Sequence, residues 1–296
     1  MIKLAAFKIK KRRVSLIPVI VFLLIILVVV VGVRIYNENT SFEVTHYQVR
    51  SDRLPDSFSG FKIVHISDFH NSVLRDDNKQ LLEAVGLSQP DIIVLTGDYL
   101  DSRSCNLDVA ISFAKELTDV APVYYVTGNH EHRIPEERRK LEAALRKFGA
   151  HVLHRRAEYI ERDGEKIQII GVDDPTFYLG DEFSGKENSD LEADINRLLD
   201  KDCYSILLSH RSSFFETYCK SGVDLAISGH EHGGQFRIPF IGGFFAPDEG
   251  FFPKYSEGMH TSDITTMVVS RGIGIGFPFR VNNPPELVII ELDTKY

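Results

Sequence analysis

The chain has 296 residues, 43% of them hydrophobic and 26% charged, an ordinary balance for a folded protein with one large or two small domains. Its formal net charge of -8 is uneven. Residues 1–13 carry Lys3, Lys8, Lys10, Lys11, Arg12 and Arg13 and no acid, which leaves -14 on the rest and speaks against a polyanion-binding surface and a nucleic-acid partner.

After that basic tail, Val14 to Val33 runs uncharged. At 1.5 Å per residue it reaches about 30 Å, the depth of a bilayer core. A signal peptide has a shorter apolar core of about 7–15 residues and a small-residue cleavage site, and neither is present. The segment reads as a single uncleaved transmembrane anchor. The flanking cations place its N-terminus in the cytoplasm and the following domain outside. Residues 34–43 are polar and read as a tether, and the domain runs over 44–296. Cys105, Cys203 and Cys219 are too few and too scattered for a disulfide framework.

Within the domain, apolar runs predict strands at 43–49, 61–66, 91–95, 121–126, 204–209, 225–227 and 286–292. Asp163-Gly164 turns a β-hairpin over 159–171. Leu141, Ala144, Leu145 and Phe148 share one helical face, and Ser189-Asp-Leu-Glu192 has the capping-box form at a second helix start. The alternation predicts an α/β fold with some antiparallel pairing.

Five polar clusters fall just past the carboxyl ends of these strands. They are Asp68-Phe-His70, Gly97-Asp98, Gly128-Asn129-His130-Glu131, Ser209-His210 and Gly229-His230-Glu231-His232. Open α/β sheets bind ligands at that edge. Taken singly, each has a bland reading as a cap, a turn or a solvated loop. Together they offer seven potential ligands, Asp68, His70, Asp98, Asn129, His210, His230 and His232, enough for two divalent cations. Two metals about 3.5–4 Å apart acidify a bridging water and clamp a phosphoryl group for in-line attack. Mixed carboxylate and imidazole ligation fits Mn, Fe or Zn without choosing among them.

The order D-x-H, GD-x-x-D, GNHE, a lone His and GH-x-H resembles the calcineurin-like metallophosphoesterase superfamily. The strings at 66–70, 229–235 and 270–276 look like its small, membrane-associated bacterial branch. The resemblance covers about 61–292. It implies a four-layer α/β/β/α sandwich with a dinuclear site between two sheets. It implies that Asp68, His70, Asp98 and His232 hold one metal and that Asp98, Asn129, His210 and His230 hold the other, with Asp98 bridging. It also implies that His130 is the acid that protonates the leaving oxygen and that Asp101 orients it. Ser102 follows Asp101 where the protein phosphatases of the superfamily carry a phosphate-gripping Arg, which weakens that reading, and Glu231 stands where many relatives have Thr.

Arg211 and Arg271 are candidate phosphate contacts, and His132 is a candidate neighbour of the site. His65 reads as a packed strand residue, and His46, His151, His154 and His260 as structural or surface groups. The Phe-dense stretch 236–252 has core packing as its default reading and a lipid-facing surface as its sharper one. The sequence therefore predicts a membrane-anchored, metal-dependent phosphoric ester hydrolase acting outside the cytoplasm on a phosphomono- or phosphodiester, lipid- or envelope-linked substrates included. The alternatives are a silent phospho-ligand-binding protein and a nuclease of the same superfamily.

Overall fold

A computed structural model describes residues 16–179, 189–246, 249–275 and 279–294. The basic tail, Val14 and Gly276 of the 270–276 string lie outside the described residues. The chain forms two compact units, Met1–Asn37 and Glu38–Tyr296.

Helix α1 (Ile17–Thr40) carries Leu, Ile and Val on every face, and its apolar side chains are exposed. Its 24 residues correspond to about 36 Å, long and apolar enough to cross a membrane. The polar stretch expected as a tether is helical as far as Thr40, since no Gly or Pro interrupts 34–40. Its last turn belongs to the second unit. There Asn39 is buried, with Nδ2 donating to Arg280 O at 3.0 Å and Oδ1 accepting from Arg280 N at 2.7 Å.

The second unit contains two six-stranded sheets. Strands β1 (Glu43–Ser51), β2 (Phe61–Ile66), β3 (Ile92–Thr96), β4 (Val123–Val126), β5 (His151–Val152) and β16 (Glu286–Thr294) make the first, in the order β1-β16-β2-β3-β4-β5. Strands β6 (Arg156–Arg162), β7 (Glu165–Gly171), β8 (Tyr204–Arg211), β9 (Leu225–Gly229), β14 (Gly258–Ser262) and β15 (Thr265–Val269) make the second, in the order β14-β15-β9-β8-β7-β6. The centres are parallel, β2 to β5 in one and β7, β8, β9 and β15 in the other. Parallel strands are covered on both faces, which is why β3, β8 and β9 are buried along their whole length. The hairpin turns where expected, with Asp163 and Gly164 both at positive φ (52° and 84°), as a type I′ turn requires.

One apolar layer lies between the sheets, with Ile63, Val94 and Val126 facing Ile169, Ile206, Leu208 and Ile227. Helices α2 (Lys79–Leu87), α3 (Leu107–Thr118) and α5 (Pro135–Lys147) cover the outer face of the first sheet with Leu81, Val85, Phe113, Leu117, Leu141 and Leu145. Helices α7 (Ser189–Leu198) and α8 (Phe215–Ser221) cover the second with Leu191, Ile195 and Tyr218. The result is the expected α/β/β/α sandwich. The two short helices α4 (Asn129–Arg133) and α6 (Thr176–Leu179) belong to the loops above it. Cys105, Cys203 and Cys219 are free thiols.

His154 clips these layers together. Its Nδ1 lies 2.6 Å from Asp173 Oδ1 beyond β7, and its Nε2 lies 2.9 Å from Glu142 Oε1 on α5. The hydrogen bonds to Asp173 and Glu142 raise its pKa from 6.5 to about 9, against a partial burial that lowers it. A pKa raised by folding stabilises fully below the unfolded value and is lost as pH climbs through the folded one. The clip therefore acts fully below pH 6.5 and fades toward pH 9, while Glu142, whose pKa is lowered, contributes fully above 4.5 and loses its share as pH falls below that. Allowing for solvent screening, His154→Asn costs about 1–2 kcal/mol at pH 6, or about 3–6 °C in Tm, and little at pH 9.5. Thermal melts of both proteins at the two pH values check this.

Candidate metal centre

The loops after β2, β3, β4, β8 and β9 meet at one edge, bound to each other through backbone. Asp68 N donates to Gly97 O at 3.1 Å, His70 N to Asp98 O at 2.9 Å and Gly274 N to Asp68 O at 2.6 Å. Glu131 is the hub of this knot. Its buried carboxylate accepts from the amides of Asp98 (2.9 Å), Leu100 (2.8 Å) and Gly128 (2.8 Å), and burial, followed by the nearby Asp98, raises it to about 7. The packing leaves no room at Gly229, where a Cβ would fall 1.9 Å from Ser67 Oγ and 2.3 Å from Asp68 Oδ2. Asp68, His70, Asp98, His230 and His232 all have φ between 47° and 75°. Such strain gathers at functional sites, where the surroundings over-determine the backbone.

Two sets of side chains result, sharing one carboxylate. His70 Nε2 and His232 Nε2 lie 3.3 Å apart, with Asp68 Oδ1 3.6 Å from His232 Nε2 and Asp98 Oδ2 3.8 Å from His70 Nε2. On the other side, His210 Nε2 is 3.4 Å from the same Asp98 Oδ2, 3.2 Å from Asn129 Oδ1 and 3.0 Å from His230 Nδ1. All seven side chains are buried.

The outer contacts fix which nitrogen faces inward. His210 Nδ1 donates to Thr96 O at 2.8 Å, so Nε2 is the nitrogen that faces the centre. Arg211 Nη1 lies 3.1 Å from His230 Nε2 and Arg280 Nη2 3.3 Å from His232 Nδ1, on the side of each ring away from the centre.

The donor set suits divalent cations. Two carboxylates, one amide oxygen and four imidazoles are hard to borderline ligands, and Asp68 Oδ1 is buried without a hydrogen bond. Burial lowers His70 to about 3 and holds His230 and His232 well below the ordinary imidazole value, which keeps them neutral donors. Burial opposes the charge on Asp98 but is outweighed by His210 and His130, so its carboxyl stays well below the usual range. Burial likewise opposes a charged His210, yet Asp98, with Asp68 and Asp174 behind it, raises His210 to about 10. The pocket thus draws positive charge to the place a cation would take. Asp68, His70 and His232 form one group that could hold an ion, and Asp98, His210 and His230 another.

Residues 61–234 match the family model described as calcineurin-like phosphoesterase. The chain belongs to the calcineurin-like phosphoesterase family. A metallophosphoesterase of Bacillus subtilis, YkuE, is 32% identical over 88% of this chain and 89% of its own. The phosphodiesterase YaeI of Escherichia coli is 30% identical over 80% and 84%. A Bos taurus protein described as a transmembrane protein with metallophosphoesterase domain is 28% identical over 84% of this chain and 59% of its own.

His130 lies close to these side chains, its Nε2 3.9 Å from Asp98 Oδ2, and with His70 and Asp101 it forms a third group that could hold an ion. Asp101, expected to orient it, only partly holds that place. Its Oδ1 is 3.3 Å from His130 Nδ1, but the Ser102 amide donates to the same nitrogen at 2.9 Å. Asp101 is instead forked onto Arg103, with Nε to Oδ1 and Nη2 to Oδ2 both at 3.0 Å. An Nδ1 that accepts from an amide leaves the hydrogen on Nε2, facing the centre.

The arginines divide. Arg211 is buried beside His230, and its Nε donates to Asp174 Oδ2 at 2.8 Å. Arg271 does not serve as a phosphate contact, because its guanidinium faces Glu43 (2.9 Å), Glu286 (3.3 Å) and Glu257 (3.6 Å). His132 packs edge-on against Phe177 rather than entering the site, and His65 is buried against Thr96 Oγ1 at 2.7 Å. Glu231 is buried and raised to about 8 by burial and Glu249. Sequence reasoning missed Asp174, whose place just past β7 obeys the same strand-end rule, and Arg280. Arg280 is wholly buried and lowered to about 10 by that burial. It lies outside every strand-end cluster.

Proposed function

We propose that this chain is a membrane-anchored, dinuclear-metal phosphoesterase that hydrolyses phosphate esters, diesters foremost. The observation that carries the reading is the convergence of two ligand sets on one atom, Asp98 Oδ2, at 3.8 Å from His70 Nε2 and 3.4 Å from His210 Nε2. Asp68, His70, Asp98 and His232 would hold one ion, and Asp98, Asn129, His210 and His230 the other. Mn, Fe or Zn each suit these donors. When bound, such a pair supplies Lewis acidity to the phosphoryl oxygens and lowers the pKa of water for in-line attack.

The protein's part is to place and neutralise. Asp98 couples the two sets through Oδ2, while its Oδ1 accepts from His130 N at 2.8 Å and is thereby fixed in rotamer. His130 turns Nε2 toward the centre, where it would donate its hydrogen to the leaving oxygen. Arg211, held by Asp174, adds fixed positive charge beside His230. The complete ligand set favours an enzyme over a silent binding protein, and the acidic domain disfavours a nuclease. The preference for diesters is supported by the name of the Escherichia coli relative, a phosphodiesterase.

The anchor would be α1. Its basic flank supports an N-terminus in the cytoplasm with the catalytic unit on the other side. The test is an assay of the full chain in detergent with Mn²⁺ and bis(p-nitrophenyl) phosphate. Release of nitrophenol that a chelator stops and added metal restores is expected. No release above buffer with Mn²⁺, Fe²⁺ or Zn²⁺ would sink the reading.

A further inference from the structure

We propose that the aromatic flap formed by residues 236–246 and 249–252 is a bilayer-docking surface that rests the catalytic unit on the membrane. This goes beyond the catalytic reading and depends only on its membrane-anchor part.

The flap displays large apolar side chains to solvent. Phe240 is fully exposed, and Ile241, Phe251 and Phe252 are 64%, 65% and 58% exposed. Several large apolar side chains exposed within one short stretch of chain are the mark of an interaction surface. The display is built rather than loose. Two short antiparallel strand pairs, β10 (Arg237–Ile238) with β11 (Gly242–Gly243) and β12 (Phe245–Ala246) with β13 (Gly250–Phe251), frame it. Phe244 N donates to Phe236 O at 2.7 Å and Phe252 N to Phe244 O at 2.9 Å. Phe244 meets Phe251 and Phe252 edge-on at 5.2 and 5.6 Å, which props the outer rings outward.

Chain length and connectivity name the occupant. Arg237 N donates to Val281 O at 3.0 Å, Asn282 Nδ2 to Arg237 O at 3.2 Å, and Asn282 N to Glu38 Oε2 at 2.8 Å. The flap is therefore one layer of hydrogen bonds from Glu38, where the chain enters the catalytic unit. Glu38 comes only four positions after Arg34, the first charge after the apolar run. That distance is about 6 Å as helix and about 14 Å fully extended. An anchor in a bilayer thus keeps this edge of the unit at the headgroup layer whatever the orientation of α1. Arg237 is paired with Glu257, so attraction here rests on apolar burial rather than charge. Zwitterionic lipid should suffice, and salt should not weaken the contact.

The chain has no tryptophan, so Phe240→Trp and Phe251→Trp each introduce a single fluorophore. Full chain carrying either is reconstituted into phosphatidylcholine vesicles with and without acyl-chain bromine. We expect blue-shifted emission and at least twofold quenching by bromine for both, unchanged in 0.5 M NaCl. Tyr159→Trp, on the far edge strand β6, should stay unquenched. Phe22→Trp in α1 reports insertion separately. Quenching at Phe22 with none at 240 or 251 overturns the docking surface and leaves the anchor standing. A blue shift at 240 and 251 without bromine quenching also overturns it, by pointing to a second copy or another protein. No quenching at Phe22 removes the anchor and the proposal together, without touching the hydrolase assignment.

Discussion

Asp98→Asn lowers kcat/KM for an aryl phosphodiester by on the order of 10³-fold or more, equivalent to about 4 kcal/mol of transition-state stabilisation. The reason lies in one oxygen. Asp98 Oδ1 is spent on His130 N at 2.8 Å, whereas Oδ2 faces His70 and His210, one from each ligand set. The asparagine keeps the shape and the His130 contact but removes the charge both sets share. It should also cut metal content, since ligand charge and affinity go together. Steady-state kinetics with elemental analysis of the same preparation reads both effects. Wild-type turnover by a fully substituted, folded Asp98→Asn chain would deny Asp98 its bridging place.

His130→Ala produces the second large loss, and its size should depend on the ester. A positioned proton donor contributes about 10²–10⁴-fold, and a poor leaving group needs it most. We therefore expect a loss in that range for an alkyl phosphodiester and a much smaller one, about tenfold, for the p-nitrophenyl diester. Asp101→Asn should cost less than tenfold on either, because Asp101 is forked onto Arg103 while the Ser102 amide holds His130 Nδ1. Rates across a leaving-group series separate these cases. Equal losses on alkyl and aryl esters for His130→Ala would show that it does not act on the leaving oxygen.

Much of the site was legible in the sequence because the chemistry sits at strand ends. Runs such as Ile92–Thr96 and Leu225–Gly229 are continuous and apolar because both faces are covered, and the residues just past them must lie at the ligand-binding edge. The Asp163-Gly164 turn was readable for a local reason, since its two positive φ values suit few residue pairs. Contacts made across the fold were not readable. Arg280 reaches His232 through a loop with no periodic pattern, and Arg271, in the string that marks the family branch, turns to Glu43, Glu257 and Glu286. The polar composition of 34–40 suggested a tether, yet helical bonding and the Asn39–Arg280 pair carry the helix to Thr40. Asp101 illustrates the limit most clearly. Its spacing from Asp98 matched a partner for His130, and its Oδ1 does lie 3.3 Å from His130 Nδ1, but the same carboxylate is forked onto Arg103 and the Ser102 amide shares that nitrogen.

If two ions act together across Asp98, activity must track the second ion as well as the first. Metal-stripped full chain is titrated with Mn²⁺, and hydrolysis and bound metal are measured at each point. We expect hydrolysis to rise to a plateau at two ions per chain. Full activity at one ion, or activity that survives in the stripped protein with chelator present, would contradict the paired site.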